Sequence, residues 1–258
     1  MMRGNLHTHS TYCDGKSTME EMVASAISKG FTYIGFSGHG YTDIDTNYCM
    51  SLENEKRYFE EIEILREKYG KKIKILCGIE RDFYSQTKYS IDYEIASCHY
   101  IKAGECYYDV DESAQKQKYC IDAFYGGDPY AYAEEYYKSV AQLSGDIVGH
   151  FDLITKFDRE GKIFTPEEER YKKAALNALS ELLEKNIVFE VNTGAMARGY
   201  KDAPYPDRWL LEEIKRQGGR VIITSDCHDA KNLDYGYEET EKLLLEIGFK
   251  DFYDISFL

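Results

Sequence analysis

Six histidines, His7, His9, His39, His99, His150 and His228, lie in the strings NLHTHS, FSGHG, ASCHY, VGHFD and TSDCH, each at or just past a segment patterned as a strand. One histidine so placed is more often a structural residue bonded to backbone than a ligand. Six in equivalent places point to imidazole nitrogens gathered together, which is metal-ion chemistry. His7 and His9 are one residue apart, so a strand turns both to the same face, spaced to chelate one cation. Carboxylates occupy matching places: Glu80 ends KILCGIE, and Asp226 follows VIITS two residues before His228, on the same side of a strand. A carboxylate buried among neutral imidazoles is an uncompensated charge unless a cation shares its pocket. Asp14, in the turn after His9, offers a further oxygen, although Asp before Gly is also an ordinary turn residue. These side chains exceed one tetrahedral site, so the expected complement is two or three divalent ions, Zn, Mn or Fe.

Gathering such groups requires elements that converge. Segments near 3 to 9, 32 to 37, 73 to 80, 94 to 100, 146 to 150, 187 to 192 and 220 to 225 read as strands, with helical patterns between them. Ser17 with Glu20 has capping-box spacing, and Thr165, Pro166 and Glu168 combine an N-cap, a first-turn proline and a third-position glutamate. Gly30, Gly70 and Gly218 mark helix ends. This alternation predicts one α/β domain over residues 1–258 with parallel strands, closed as a barrel or opened as a doubly wound sheet. In a parallel barrel the strand C-termini share one face, where residues remote in sequence meet. The stretch 102 to 127 breaks the alternation and is either a lid or binding segment or a packed surface excursion. The tyrosines of YAYAEEYY have the spacing of a helix stripe that belongs to the core.

Composition excludes other classes. Lys+Arg total 32 and Asp+Glu 46, a net charge of −14, so no basic field is present to hold a nucleic acid duplex or an anionic membrane. Three divalent ions would bring about six compensating positive charges. No apolar run approaches the ~18 residues of a membrane span. The start, MMRGNLHTHS, lacks the basic and apolar stretches of an export signal, which makes the cytoplasm the expected compartment. The seven cysteines never form C-x-x-C and read as reduced thiols; Cys98 and Cys227, next to His99 and His228, are expected to face the packing layer behind the site.

The motif strings resemble the polymerase and histidinol phosphatase (PHP) superfamily of metal-dependent phosphoesterases. HTHS with Asp14 is similar to its first motif, SGHG to its second, the Glu80 and His99 segments to its third, and His150 with SDCH to its fourth, in order along the whole chain. The resemblance implies a distorted (β/α)7 TIM-like barrel, which agrees with the seven strands counted independently. It implies one ion among His7, His9, Glu80 and Asp226, with Glu80 bridging to a second at His99 and His150. A third ion would take His39, His228 and Asp14. The chain departs from the family where T-D-H is more usual and Ser37, Gly38 and His39 stand instead, so any role of that aspartate is absent. The middle region, HYIKAGECYYDVDES, FYGGDPYAYAEEYYKSV, GHFDLITKF and EVNTGAMARGYKDAPYP, is similar to the histidinol-phosphate phosphatase branch.

Within that resemblance Arg198, in a loop past Asn192, is expected to grip two phosphate oxygens at once. Lys156 and Arg159 are weaker candidates for a second clamp. The implied activity is a metal-dependent phosphomonoesterase acting on L-histidinol phosphate, with Glu80, Asp226 and Arg198 in the catalytic set and a small phosphate ester as partner. Asp226 is one candidate for the acid that protonates the leaving group. The alternatives are a phosphoesterase of the same family acting on a nucleotide or phosphopeptide, and a non-catalytic metal-binding accessory protein. In the excursion, Glu105, Asp109, Asp111 and Glu112 among Tyr107 and Tyr108 would face the cationic end of histidinol phosphate.

Overall fold

Every apolar run expected as a strand becomes one in the computed structural model, which describes residues 3–85 and 89–258; the first two residues of MMRGNLHTHS lie outside them. The strands are β1 (Gly4–Asn5), β2 (Tyr33–Phe36), β3 (Lys74–Asp82), β4 (Tyr93–Ser97), β5 (Tyr100–Ala103), β6 (Cys106–Asp109), β7 (Ile147–Val148), β8 (Val188–Asn192) and β9 (Val221–Thr224). Seven form one sheet in the order β1-β2-β3-β4-β7-β8-β9, and every pair in it is parallel. Helices α1 (Met19–Ser28), α2 (Leu52–Tyr69), α3 (Ala114–Phe124), α4 (Pro129–Val140), α5 (Glu169–Glu184), α6 (Gly194–Ala197), α7 (Arg208–Arg216) and α8 (Tyr237–Ile247) accompany it. The result is a single α/β domain built as a distorted seven-stranded barrel.

The distortion is local. Between β1 and β9 a regular ladder gives way to one parallel bridge, Thr8 to Cys227, with His9 N donating to Cys227 O at 2.9 Å. Below it the Asn5 side chain joins the two strands, donating from Nδ2 to Ser225 Oγ at 2.5 Å and to Leu233 O at 3.1 Å. The seam therefore runs between the two chain segments that carry His7, His9, Asp226 and His228.

Inside the barrel a small apolar plug fills the lower layers, made of Leu6, Tyr33, Leu76, Tyr93, Ile95, Ile147, Val188 and Ile222, with Ile255, Phe257 and Leu258 packed against it. Tyr93 is its polar pin: its hydroxyl lies 2.5 Å from Leu6 O and 3.1 Å from Phe36 O. A larger apolar layer lies between strands and helices and takes in Tyr132, Tyr136 and Tyr137, the expected stripe of α4. Cys98 and Cys227 are buried in that layer, behind the histidines they precede.

Three local expectations shift. The capping box of α1 is formed by Thr18 and Glu21, one residue later than Ser17 and Glu20, because the Ser17 hydroxyl instead accepts from Ala230 N at 3.1 Å. Residues Thr165 to Glu168 close a turn before α5, whose N-cap is Glu168 without a side-chain bond. The excursion is ordered: β5 and β6 make an antiparallel hairpin outside the barrel, followed by α3, and Val110, Cys120 and Ile121 are buried beneath it. The segment expected as one strand over 94 to 100 thus ends at Ser97, and Tyr100 begins the hairpin.

Replacing Tyr93 with Phe removes the one proton shared by two buried carbonyls, at a cost of about 1–3 kcal/mol. Thermal denaturation should show a fall in Tm of roughly 2–4 °C per kcal/mol. An unchanged Tm would mean the hydroxyl does not pin the plug.

Candidate metal centre

Strand geometry brings the histidines together as the pattern requires. Thr8 turns its hydroxyl to Gly35 O at 2.8 Å in the barrel wall, so His7 and His9 on either side of it face inward. His39 follows β2, Glu80 lies in β3, His99 follows β4, and His150 follows β7. Asp226 and His228 follow β9, and Asp226 takes a left-handed backbone, φ 46°, that swings its carboxylate inward after the strand has ended. The alternation rule used to put it on the same side as His228 therefore does not apply, although both side chains reach the centre. A φ above zero is uncommon for a non-glycine residue and is tolerated where surrounding contacts hold it. Neighbouring rings are close: His9 to His228 4.1 Å, His9 to His39 4.3 Å, His99 to His150 5.0 Å and His7 to His9 5.1 Å between centroids.

Glu80 lies at the middle. Its Oε2 is 3.0 Å from His39 Nδ1, 3.1 Å from His7 Nε2 and 3.5 Å from His9 Nε2, while Oε1 is 2.9 Å from His150 Nε2 and 3.4 Å from His99 Nε2. His7 Nε2, His9 Nε2 and Glu80 Oε2 are buried and make no hydrogen bond despite this proximity. With Asp226 Oδ1, 3.1 Å from His9 Nε2, they are aimed at one small volume and become electron-pair donors once His7 gives up its Nε2 proton, the arrangement a divalent cation satisfies. The residues present fit a metal.

Three groups have ligand atoms mutually within 4.8 Å: His7, His9 and Asp226; His39, Glu80 and His99; and His9, Asp14, His39 and His228. The candidate ligands are thus brought together: His39, His228 and Asp14 share one group as expected, with His9 added, while Glu80 groups with His39 and His99. His39 belongs to two of the groups, with Nδ1 at Glu80 and Nε2 3.8 Å from Asp14 Oδ1. His150 belongs to none of the three tight groups but bonds Glu80. Asp14 also meets His228 Nε2 at 3.1 Å.

Burial pushes His9 down to about 3, aided by the neighbouring His228 and His39, so its imidazole is neutral at physiological pH. Burial acts in the same direction on His7 and His99, but Glu190 and Glu80 around His7, and Glu80 and Asp82 beside His99, outweigh it and raise both well above the ordinary value. Burial would favour neutral carboxyls, yet Glu80 is held well below the usual range by His7, His39 and His99, and Asp226 by Arg198 and His7.

Several participants were not anticipated from sequence. Glu190 is wholly buried against His7 Nδ1, and Asp82 Oδ2 accepts from His99 N at 2.9 Å. Ser97 Oγ donates to Glu80 Oε1 at 2.7 Å, and a side chain on Gly149 would overlap that hydroxyl. The available signal for Glu190 was a charge inside the apolar strand VFEVN. Asp82 had no comparable mark in GIERD.

The groups open onto a cavity of about 580 Å³ at the C-terminal mouth of the barrel. Arg198 enters it beside Asp226, donating to Asp226 O at 3.1 Å and Oδ2 at 3.0 Å. Lys156 also lines it, but its ammonium is held by Asp111 O at 2.7 Å and Oδ2 at 2.9 Å, a tether between the excursion and the loop after β7. Arg159 does not line the cavity and pairs with the exposed Asp202. Asp109, Asp111 and Glu112 line the cavity; Glu105, Tyr107 and Tyr108 do not, since Tyr107 packs on Tyr84 and Tyr108 on Phe124.

A parallel barrel whose strand ends carry a histidine and carboxylate cluster for several cations defines the class of the molecule. The chain belongs to the PHP domain family, whose match spans residues 5–194; Arg198, Asp226 and His228 lie beyond the matched stretch. It is 25% identical to a histidinol-phosphatase of Bacillus subtilis over 92% of this chain and 98% of the relative. A solved structure from Listeria monocytogenes shares the fold with TM-score 0.79 and 21% identity, covering 92% of this chain and 99% of that one. A histidinol phosphate phosphatase from Lactococcus lactis, solved with zinc, L-histidinol and phosphate, superimposes with TM-score 0.68 at 21% identity over 97% and 95% of the chains.

His7 and His99, raised above their ordinary value, hold protons at neutral pH in the metal-free chain, and a ligating nitrogen must give its proton up. Metal affinity therefore rises with pH through these raised values. The stability these imidazolium groups lend the metal-free fold is complete below the unfolded value of about 6.5 and is lost as pH climbs through the folded ones. Titration calorimetry of zinc at pH 7 in buffers of differing ionisation enthalpy should register release of about one to two protons per chain. Binding without proton release would contradict this charge state.

Proposed function

We propose that this protein is a metal-dependent phosphomonoesterase that hydrolyses L-histidinol phosphate to L-histidinol and phosphate. The observation that carries the reading is the set of buried, hydrogen-bond-free donor atoms of His7, His9 and Glu80 beneath a cavity that also holds a guanidinium. The near full-length likeness to the Bacillus subtilis histidinol-phosphatase supports the substrate. The ligands would be His7, His9 and Asp226; Glu80 with His99, His150 and His39; and Asp14 with His39 and His228. Two or three divalent ions held there, of Zn, Mn or Fe, supply positive charge against the phosphoryl oxygens and acidify the attacking water.

The chain's own groups do the rest. Arg198 keeps N–H donors free beyond those spent on Asp226, and its planar fork suits two oxygens of a phosphate whose charge grows in the transition state. Asp226 orients that fork. Held ionised by Arg198, it is a poor proton donor, so it acts as ligand and orienter rather than as the acid for the leaving alkoxide. Lys156, tied to Asp111, fixes the cavity wall instead of clamping phosphate. Asp109, Asp111 and Glu112 line the same cavity, Asp111 paired with Lys156 and Glu112 with Lys116, and their carboxylates are suited to the ammonium and imidazole of histidinol phosphate. A small ester fits the 580 Å³ cavity, and the net charge of −14 opposes a nucleic acid duplex. No helix among the described residues is long and apolar enough to cross a membrane. The seven unpaired cysteines support a reducing compartment, the cytoplasm.

Phosphate release from a panel of phosphomonoesters by zinc- or manganese-reconstituted protein tests the reading, with histidinol phosphate expected to lead nucleotides and phosphotyrosine peptides. Because the excursion covers buried Val110, Cys120 and Ile121, point changes probe it better than shortening. Asp109→Asn with Glu112→Gln should raise KM for histidinol phosphate about tenfold, the equivalent of ~1.4 kcal/mol, and leave p-nitrophenyl phosphate nearly unchanged. Equal losses on both would reassign the wall to supporting the metal centre.

A further inference from the structure

Glu190 sits in the middle of β8 with no exposure to solvent and does not line the cavity, so it cannot touch a substrate. Its carboxylate is nevertheless fully engaged. Oε1 takes His7 Nδ1 and the Thr224 hydroxyl, the latter at 2.6 Å, while Oε2 takes the His150 backbone N–H at 2.7 Å and Asn192 Nδ2 at 3.0 Å. Thr224, His150 N–H and Asn192 Nδ2 act as donors, and a carboxylate accepts only, so the His7 ring keeps a proton on Nδ1, which leaves Nε2, aimed at Glu80 and Asp226, as the nitrogen that can give its proton up and ligate. The bond to the His150 N–H fixes the backbone where φ is 20°, outside the ordinary strand region, and it is this turn that carries the His150 ring to Glu80 Oε1.

We infer that Glu190 is a positioning residue of the metal centre: one buried carboxylate that sets the ligating nitrogen of His7 and the backbone of His150, and so couples the group at Asp226 to the group at Glu80. The inference rests on the reading of His7 and His150 as metal ligands but not on the substrate. An amide cannot replace the carboxylate. In Glu190→Gln one oxygen becomes an NH2, which places a donor against donors on one of its two sides. If that side is His7, the ring must present Nδ1 as acceptor and carry its proton on Nε2, where a metal would bind.

Zinc stoichiometry and affinity, read by competition with a chromophoric chelator, test this without any turnover assay. Glu190→Gln should bind its tightest-held zinc roughly 10- to 100-fold more weakly than wild type. Thr224→Val, which removes a neighbouring donor at the same oxygen and keeps the carboxylate, should stay within about threefold. Wild-type affinity in Glu190→Gln, or an equal loss in Thr224→Val, would overturn the assignment and leave Glu190 a packing element. Should Glu190→Gln fail to fold, nitrogen NMR of the zinc-loaded wild type decides the matter. It should show His7 protonated at Nδ1 and metal-bound at Nε2, and the opposite arrangement would overturn the inference. Because every readout is metal binding or tautomer, a failure here is distinguishable from a failure to find histidinol phosphate hydrolysis.

Discussion

Five of the six imidazoles face one buried carboxylate, that of Glu80, at 2.9 to 3.5 Å. A single carboxylate cannot hydrogen-bond all of them, and His9 is too deeply buried to become an imidazolium. The polar atoms His7 Nε2, His9 Nε2 and Glu80 Oε2 are left without hydrogen-bond partners in a place water does not reach. Cations are the physical solution, and the rest of the barrel is arranged to keep this concentration of donors from collapsing or swelling. The apolar plug pinned by Tyr93 supports it from below, and Glu190, Asp82 and Ser97 brace it from the side.

The seam between β1 and β9 follows from the same demand. Both flanking segments deliver ligands, and a full ladder would hold Asp226 in extended backbone, directing its carboxylate by strand alternation alone. One bridge at Thr8 and Cys227, with Asn5 below, closes the barrel while leaving Asp226 free to take its left-handed turn. Arg198 then pairs with the outer side of Asp226, which links the metal centre to the wall of the cavity.

Much of this was legible in the sequence because it rests on strong local signals. Strand runs ending in histidine are visible without a structure, and all seven strands formed where their runs lie. His7, His9, Asp14, His39, Glu80, His99, His150, Asp226 and His228 do meet. The losses came where a residue's role depends on a neighbour distant in the chain. Ser17 gives way to Thr18 as a cap because Ala230, over 200 residues away, takes its hydroxyl. Lys156 has the charge of a phosphate clamp but is claimed by Asp111. His39 joins His228 and Asp14 as expected, but sequence order does not reveal that its other nitrogen also reaches the carboxylate of Glu80. The role of Glu190 is not legible in sequence because a lone glutamate in an apolar strand declares burial but not its partner.

The central claim is that the strand-end donors hold more than one cation with Glu80 between them. Anomalous diffraction at the zinc edge from crystals of zinc-loaded protein measures this directly. The account predicts two or three peaks per chain, with Glu80 contacting two of them and His7 bound through Nε2. A single peak, or ions placed away from Glu80, would contradict it.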